Sequence, residues 1–238
     1  VGRVNRWLLH PCSRIFLAYP DTRGPRLLRR RSLIYGCPVR SEFSFTPLPS
    51  EGSVLVLGGS QGSDDLNELA VGAAERLPAE LRSSARFHHV AGPGKRSALV
   101  ERYRRAGIRA EVVEYEPRVA ECLKASRLVI ARAGGSTTAE ISAVGRGALF
   151  LPYPHHRDRQ QYLNAQVSVA AGAAVVVPNE PATVTGVLAE ILGDRARLET
   201  MADASVRLGR PSAAVDIARV IATHVGALPV REPRERVA

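Results

Sequence analysis

Residues 54–62 have the sequence Val-Leu-Val-Leu-Gly-Gly-Ser-Gln-Gly, and the fold class follows from this short stretch. Its four aliphatic residues predict a buried strand, and the glycines after Leu57 predict a tight turn. The next apolar residues recur at the spacing of a helix with one buried face, near residues 64–77: Leu66, Leu69, Ala70, Ala73 and Leu77. A strand, a glycine turn and a helix in this order form the first unit of a parallel α/β sheet.

The same alternation continues along the chain. Further aliphatic runs predict strands at Phe87–Val90, Glu111–Val113, Leu128–Ala131, Leu149–Leu151 and Ala174–Val177. Helical periodicity between them predicts helices near 95–106, 117–124, 137–145 and 159–171, and two or three more helices fill 183–224. The predicted fold class is therefore α/β, a Rossmann-like doubly wound parallel sheet with helices on both faces.

The chain before this sheet has a different character. In residues 1–45, the sequence predicts part of a helix at Val4–Leu9, short apolar strands near 15–18 and 33–35, and a basic loop, Arg23–Arg31. We expect this stretch to be too short and too interrupted to fold alone. Residues 46–52, Thr-Pro-Leu-Pro-Ser-Glu-Gly, have the composition of a linker. The predicted division is therefore 1–45, a linker at 46–52, a domain at 53–225 and a frayed tail at 226–238.

Composition restricts the class of protein and of partner. The net charge of +10 favours polyanionic partners, but aromatic residues make up only 5% of the chain and no recognition motif is present, so no nucleic-acid partner is expected. No apolar run reaches the roughly eighteen residues that a membrane-spanning helix needs. The chain has no signal peptide and no initiator Met, which suggests a fragment or a processed chain. Its three cysteines, Cys12, Cys37 and Cys122, lack a Cys-x-x-Cys motif and favour reduced thiols over disulfides or a zinc site.

The first candidate ligand loop is Gly58–Gly62, between a strand and a helix, where open α/β sheets bind ligands. Its glycines let the backbone approach an anion, and free N–H groups and the helix dipole favour phosphate there. The loop matches neither the dinucleotide fingerprint nor the Walker A loop. The alternative is a tight turn that binds nothing, and the motif alone does not separate the two.

The second loop, Arg132-Ala-Gly-Gly-Ser-Thr-Thr-Ala-Glu140, repeats the strand, glycine turn and helix start. Glu140 is expected in the first turn of that helix, where its carboxylate could accept two hydrogen bonds from a ribose diol. The alternative needs no ligand, because Thr137 and Glu140 also fit a capping box. Taken by itself, the motif favours the capping box.

The third loop, Pro152–Ala165, leaves the strand at 149–151 and opens a helix. Gln160 and Gln161 are adjacent amides that both donate and accept hydrogen bonds, which suits sugar hydroxyls. The His155-His156 pair has no carboxylate or cysteine at ligand spacing, so solvated histidines are favoured over a metal site. The Asp64-Asp65 pair is likewise interpreted as acidic residues at a helix start.

Together and in this order, the three loops resemble one family, the glycosyltransferases that make lipid II from lipid I in peptidoglycan synthesis (the MurG type of glycosyltransferase family 28). The Gly172-Ala-Ala and Pro38-Val-Arg40 segments also fit, and the resemblance runs from about Gly2 to about Ile221. The chain departs from the family at Cys37, where Asn is usual. It also has no counterpart of the family's N-terminal glycine-rich loops or of its acceptor-side His and Glu.

The resemblance implies a GT-B fold, in which two Rossmann-like domains face each other across a cleft. Residues 53–225 would be the C-terminal nucleotide-sugar-binding domain, and residues 1–45 a remnant of the N-terminal acceptor domain. The implied donor-binding groups are Arg40, Ser60 and the backbones of Gly59 and Gln61 for the diphosphate, Thr137 for the α-phosphate, Glu140 for the ribose, Gln160 and Gln161 for the N-acetylglucosamine hydroxyls, and the Tyr115-Glu116-Pro117 backbone for the uracil.

The implied reaction is an inverting transfer of N-acetylglucosamine from UDP-N-acetylglucosamine to lipid I, the lipid-linked muramoyl-pentapeptide acceptor, with no cofactor and no metal ion. The catalytic base would lie in the part of the N-terminal domain that has no counterpart here, so no catalytic residue is assigned. An anionic membrane is a further expected partner, and the expected location is the cytoplasmic face of the bacterial inner membrane. Two alternatives remain: a donor-binding subunit that needs a separate acceptor subunit, and a non-catalytic UDP-sugar-binding module.

Overall fold

The computed structural model describes residues 3–20, 22, 30–59, 62–153 and 159–226. The chain forms two compact units, one comprising residues 42–209 and the other residues 1–41 together with 210–238. Several predicted positions lie outside the described residues: Ser60, Gln61, His155, His156, most of the basic loop Arg23–Arg31, and the tail after residue 226.

The described elements follow one another along the chain as α1 (Arg3–Leu8), β1 (Ile15–Leu17), β2 (Ser32–Ile34), β3 (Ser53–Leu57), α2 (Asp64–Glu75), α3 (Ala79–Ser84), β4 (Arg86–Val90), α4 (Arg96–Arg105), β5 (Arg109–Val113), α5 (Val119–Ala125), β6 (Ser126–Ala131), α6 (Gly135–Val144), β7 (Gly147–Phe150), α7 (Gln160–Ala170), β8 (Ala174–Val176), α8 (Pro181–Gly193), α9 (Arg195–Leu208) and α10 (Ala213–His224). The six strands predicted after Thr46 are all present, with ends that agree to within about two residues, the usual uncertainty of element boundaries. Helix α3 was not predicted, because none of its residues is buried and it therefore has no apolar periodicity.

The sheet of residues 42–209 has the strand order β5-β4-β3-β6-β7-β8, and each pairing in it is parallel. The predicted Rossmann-like α/β fold is thus confirmed. Within this sheet, the first strand along the chain is β3. The next two strands, β4 and β5, are added on one side of β3, and β6 is then added on its other side. The strand order therefore reverses between β3 and β6. At such a reversal the loops after neighbouring strands leave a crevice at the carboxyl ends, where ligands bind.

The core lies on both faces of the central strands. Leu55 and Val56 on β3 are fully buried, and so are the aliphatic residues of β6 from Leu128 to Ile130. Strands covered by helices on both faces need continuous apolar runs, which is why the periodicity of two is missing from these segments. Helix α2 buries the face that its spacing predicts, including Leu66 and Ala70.

A buried arginine holds the segment that has the composition of a linker. Arg146 is fully buried, and its guanidinium donates to the carbonyl oxygens of Thr46 at 2.7 Å, Pro47 at 3.2 Å and Lys124 at 2.8 Å. Burial lowers the pKa of Arg146 to about 10, so the side chain remains a cation at neutral pH. Residues 46 and 47 are therefore fixed against the sheet unit.

The smaller unit has a short sheet of its own. Strands β1 and β2 pair in parallel, with Ile15 opposite Ser32, and the rings of Phe16 and Tyr35 meet edge to face at 5.9 Å. Helix α10 belongs to this unit, so residues 1–41 are grouped with a segment from the other end of the chain. In the division predicted from the sequence, α10 was part of the domain at 53–225. That division into domains stays a prediction.

No helix in the described part of the chain combines the length and hydrophobicity needed to cross a bilayer.

Candidate ligand-binding cleft

A cleft of about 430 Å³ opens at the carboxyl ends of β3, β6 and β7. Its lining comes from all three predicted ligand loops and from the start of α2: Gly58, Gly62, Ser63, Asp64, Asp65, Arg132, Tyr153 and Gln161. This position includes the strand reversal between β3 and β6, the place where doubly wound sheets bind ligands. The structure therefore brings the three loops together, as their positions after strands predict.

The first loop turns sharply at glycines. Gly59 and Gly62 have φ values of +80° and +67°, and the Gly62 N–H donates to the Gly59 carbonyl at 3.0 Å. Ser63 caps α2 by accepting the Leu66 N–H at 3.4 Å. The roles implied for Ser60 and Gln61 stay predictions, because these two residues lie outside the described part of the chain.

The acidic start of α2 is paired with cations. The Asp64 carboxylate lies 2.8 Å from Lys95 Nζ, and the Asp65 carboxylate lies 3.9 Å from the Arg132 guanidinium. Carboxylates at a helix N-terminus are favourable to the helix, which agrees with the interpretation of this pair as helix-start residues. The same carboxylates repel an anion, so the cations beside them determine whether phosphate can enter.

Arg132 is the cation at the base of the cleft, and its side chain is only 10% exposed. Its guanidinium donates to the Leu151 carbonyl at 2.5 Å and to Ser63 Oγ at 3.2 Å, and it lies 5.7 Å from the centre of the Tyr153 ring. Its buried Nε–H has no hydrogen-bond partner among the described residues. Burial lowers the pKa of Arg132, but an arginine remains charged at neutral pH. The cleft therefore holds a positive charge at its base.

Arg132 is the first residue of the second motif, but no role was predicted for it from the sequence. A strand end alone does not show whether an arginine is solvated or buried beneath two loops. The only sequence feature that could have indicated a buried arginine was its position immediately after the four apolar residues of a buried strand, Leu128–Ala131.

The second loop begins α6 differently from the prediction. The helix starts at Gly135, with Gly134 as its N-cap and no side-chain cap. Thr137 is therefore already the third helical residue, and Glu140 lies in the second turn instead of the first. The capping-box alternative for Thr137 and Glu140 is wrong, because the Thr of a capping box must precede the helix.

The start of α6 is suited to an anion. Its first turn contains no acidic residue, in contrast to α2, and both Gly135 and Ser136 are exposed. The first N–H groups of a helix have no intrahelical acceptor and carry the positive end of the helix dipole. Thr137 and Glu140 are both half-buried and are not among the residues that line the cleft. Their implied ligand contacts stay predictions.

The two glutamines of the third loop have different surroundings. Gln161 lines the cleft, and its Oε1 accepts the Tyr153 N–H at 2.8 Å. Gln160 is exposed, and its Nε2 donates to Asn164 Oδ1 at 2.9 Å. Asn164 in turn donates to the Ala133 carbonyl at 3.0 Å, which links α7 to the second loop. Only Gln161 of the pair therefore faces the described cleft directly.

Two predicted donor-binding residues, Glu116 and Arg40, are not among the residues that line the cleft. Glu116 follows β5, which is separated from β3 by β4, and it is not part of the cleft lining. Its carboxylate accepts the Arg118 N–H at 2.8 Å and lies 3.3 Å from His88 Nε2. Burial opposes ionisation of this carboxyl, but these neighbours hold its pKa below the usual value. Arg40 belongs to the other unit, so its implied phosphate contact stays a prediction.

Comparison with known proteins places the sheet in a family. Residues 53–218 match the family described as "Glycosyltransferase family 28 C-terminal domain". A Pseudomonas fluorescens protein named "UDP-N-acetylglucosamine--N-acetylmuramyl-(pentapeptide) pyrophosphoryl-undecaprenol N-acetylglucosamine transferase" is 35% identical over 228 residues, which cover 92% of this chain and 62% of that protein. A Hahella chejuensis protein of the same name is 35% identical over 229 residues, again with 92% and 62% coverage. The chain thus spans 62% of the length of these curated relatives.

The chain is also similar to a solved structure described as that of Acinetobacter baumannii MurG. The TM-score is 0.78 at 22% sequence identity, and the similarity covers 93% of this chain and 64% of that one. At this identity the similarity concerns the fold, and it agrees with the Rossmann-like sheet described above.

Proposed function

Because this chain belongs to glycosyltransferase family 28, we propose that its cleft binds UDP-N-acetylglucosamine and that the protein transfers N-acetylglucosamine to a lipid-linked muramoyl-pentapeptide acceptor. The curated relatives carry this activity in their names, and they match 92% of this chain. The chain would supply the donor site of the transferase, since the family match covers the sheet that forms the cleft.

The observation that carries the proposal is the buried cation of Arg132 at the point where the strand order reverses. A diphosphate needs positive charge and N–H donors, and this edge of the sheet provides both. Arg132 contributes the charge, and the start of α6 contributes free N–H groups with no acidic residue in its first turn.

The proposed chemistry is an inverting displacement at the anomeric carbon of the sugar by an acceptor hydroxyl. The diphosphate contacts would stabilise the negative charge that develops on departing UDP, an electrostatic role in a partly dehydrated cleft. Glu140 would accept hydrogen bonds from the ribose hydroxyls, and Gln160 and Gln161 would bind the sugar. The acceptor site and the general base would lie in the part of the relatives that these 238 residues do not match.

Calorimetric titration with UDP, uridine and UDP-N-acetylglucosamine tests the donor site. Hydrogen bonds to charged groups contribute about 1.5–3 kcal/mol each, so Arg132→Met and Glu140→Ala should each weaken UDP binding by about tenfold or more. Arg132→Met should leave the affinity for uridine nearly unchanged, because uridine has no phosphate. The control is Arg195→Gln, an exposed arginine on α9.

Two results would contradict this assignment. Equal affinity for UDP in wild type and Arg132→Met would remove Arg132 from the donor site. An equal loss of UDP and uridine binding would mean that the substitution had disturbed the cleft as a whole, and the thermal stability of each variant would be measured alongside.

We also propose that the protein lies on an anionic membrane at the cytoplasmic face of the inner membrane. The acceptor in the relatives' names is a lipid, and five of the nine residues in Arg23–Arg31 are arginine. Arginines near an anionic surface contribute about 1 kcal/mol each to binding. The alternative is a solvated loop.

Liposome sedimentation distinguishes these possibilities. The variant replaces Arg23, Arg26, Arg29 and Arg30 with Gln and leaves Arg31 intact, because Arg31 donates to the Cys12 carbonyl at 2.7 Å. The wild-type protein should sediment with vesicles that contain anionic lipid, whereas the variant should stay in the supernatant. A matched control replaces four exposed arginines outside the loop with Gln: Arg104, Arg105, Arg195 and Arg219. Binding that does not depend on the charge of the lipid, or that is equally strong in the variant, would contradict the proposal.

A further inference from the structure

Three side chains with metal-ligating atoms meet at the edge of the sheet, apart from the residues that line the cleft. His88 lies on β4, Glu116 in the segment after β5, and Cys122 on α5. His88 Nε2 is 3.3 Å from Glu116 Oε2 and 3.7 Å from Cys122 Sγ. The three ligand atoms all lie within 4.8 Å of one another. The His88 and Glu116 side chains are 13% and 10% exposed, so the cluster is largely shielded from solvent.

Contacts outside the cluster orient two of its three members. His88 and Glu111 are neighbours in the register of β4 and β5, and His88 Nδ1 lies 3.1 Å from Glu111 Oε2. An ionised carboxylate only accepts, so Nδ1–H donates to Glu111, and Nε2 is left as the ring nitrogen that faces Glu116, Cys122 and a metal ion bound between them. Glu116 Oε1 accepts the Arg118 N–H, which directs Oε2 toward His88. Histidine ligands of metal ions are held by outer carboxylates in this way.

We propose that this cluster binds one zinc ion, with His88 Nε2, Glu116 Oε2 and the Cys122 thiolate as ligands and water in the fourth position. Zinc bonds are about 2.0–2.1 Å to nitrogen or oxygen and about 2.3 Å to sulfur, so tetrahedral geometry separates N from O by about 3.3 Å and N from S by about 3.5 Å. The corresponding distances here are 3.3 Å and 3.7 Å. Small side-chain movements would complete the geometry.

The donor set selects among metal ions. Magnesium and calcium prefer oxygen ligands, whereas a thiolate with an imidazole suits zinc. Binding forms the Zn–S bond and releases the Cys122 thiol proton to solvent. The thiolate and the Glu116 carboxylate then neutralise the two charges of the ion. The bound metal would join β4, the segment after β5 and α5, so it should raise the thermal stability of the sheet unit.

Metal titration of the untagged chain, previously treated with chelator, tests the proposal. One equivalent of Co²⁺ should produce a thiolate-to-cobalt charge-transfer absorption in the near ultraviolet, and Zn²⁺ should abolish it by displacement. Zn²⁺ should also raise the melting temperature. Loss of outer-shell partners alone reduces metal affinity by about 10- to 100-fold, so His88→Gln should reduce the zinc affinity by more than about 100-fold.

Cys122→Ser should lose the charge-transfer absorption, and Cys37→Ser, another half-buried cysteine, should keep it. Circular dichroism checks that each variant is folded, and Glu116→Gln serves if Cys122→Ser is not. If the same atoms form only a hydrogen-bonded cluster, the wild type will show no charge-transfer absorption. Absence of the charge-transfer absorption in the wild type would overturn the proposal. So would an absorption that persists in Cys122→Ser, or an absorption that is lost when Cys12 or Cys37 is replaced.

Discussion

A buried histidine links strand β4 to helices α2 and α4. His89 on β4 is fully buried, with its Nδ1 3.0 Å from the Tyr103 hydroxyl and its Nε2 3.0 Å from Asn67 Oδ1. The same Asn67 side chain donates to the Ala91 carbonyl at 2.9 Å. Since the amide oxygen only accepts, Nε2 carries the proton and Nδ1 accepts from the hydroxyl. The arrangement requires neutral His89.

This requirement predicts a dependence of stability on pH. Burial, with a smaller contribution from the charge of His88, lowers the pKa of His89 from 6.5 to about 4. The unfolded chain therefore binds more protons between pH 6.5 and 4, so the free energy of unfolding is highest above pH 6.5 and falls as the pH drops toward 4. Between pH 6.5 and pH 4, this effect lowers the free energy of unfolding by about 3 kcal/mol.

Urea unfolding at a series of pH values measures this loss. His89→Gln should be less stable than wild type at neutral pH and should show a flatter pH profile. His10→Gln, at an exposed position, should follow the wild-type profile. Parallel profiles for wild type and His89→Gln would show that His89 does not control the acid sensitivity.

The adjacent glutamines predict different effects on ligand binding. Gln160→Ala should weaken UDP-N-acetylglucosamine binding by about tenfold and leave UDP binding nearly unchanged, because the implied partner of Gln160 is the sugar. Gln161→Ala should weaken both ligands, because Gln161 also holds the Tyr153 N–H at the cleft. Calorimetry with both ligands measures the two effects, with Gln166→Ala on the same helix as control. A parallel loss of both ligands in Gln160→Ala would mean that the start of α7 had been disturbed.

Among the elements, the turn between β3 and α2 has no room for a side chain at Gly62. A Cβ on Gly62 would overlap the Ala91 carbonyl oxygen and would lie 2.8 Å from Gly92 Cα, and neither backbone atom can move easily. Its φ of +67° adds strain for any L side chain. The turn therefore depends on glycine at this position.

Gly62→Ala should weaken UDP binding by more than about tenfold and reduce stability by about 1–3 kcal/mol, because strain and overlap both displace the loop. The matched control is Gly107→Ala, which has a similar φ of +69° but no atom within 4 Å of the added methyl group. The control should lose about 1 kcal/mol of stability and no UDP affinity. Unchanged UDP affinity in Gly62→Ala would show that this turn does not shape the donor site.

At the scale of the whole molecule, a donor site alone does not make a transferase. Inverting transfer needs the acceptor oxygen held in line with the anomeric carbon, and positioning accounts for several kcal/mol of the barrier reduction. A general base contributes roughly 10²- to 10⁴-fold more. These 238 residues match 62% of the curated relatives, and the acceptor site is implied for the remainder.

We therefore expect these 238 residues to bind UDP but to form little or no lipid II from lipid I. Adding the N-terminal part of a relative that these residues do not match, in trans or by fusion, should allow transfer. Radiolabelled donor and separation of the lipid products would measure both reactions, with slow donor hydrolysis as the background. Rapid lipid II formation by the isolated chain would show that the acceptor site has been misplaced.

Local patterns in the sequence were enough to predict the fold class and the positions of the three loops. Aliphatic runs such as Val54–Leu57 and Leu128–Ala131 are local patterns, and burial on both faces requires them. A loop that follows a parallel strand must lie at the carboxyl edge of the sheet, so the glycine loops were located without any tertiary information. The likeness to family 28 was available from the same segments.

The order of the strands in the sheet and the contacts between distant side chains could not be predicted from local patterns. The reversal between β3 and β6 places Arg132 against Ser63, residues from two loops whose separation in sequence carries no periodic signal. The start of α6 at Gly135 was equally hidden, because Thr137 and Glu140 satisfy a capping pattern that the backbone does not adopt. The cluster of His88, Glu116 and Cys122 forms because two adjacent strands and a helix converge. Spacing in sequence records the local period of a helix or strand, whereas these contacts depend on how the chain returns across its sheet.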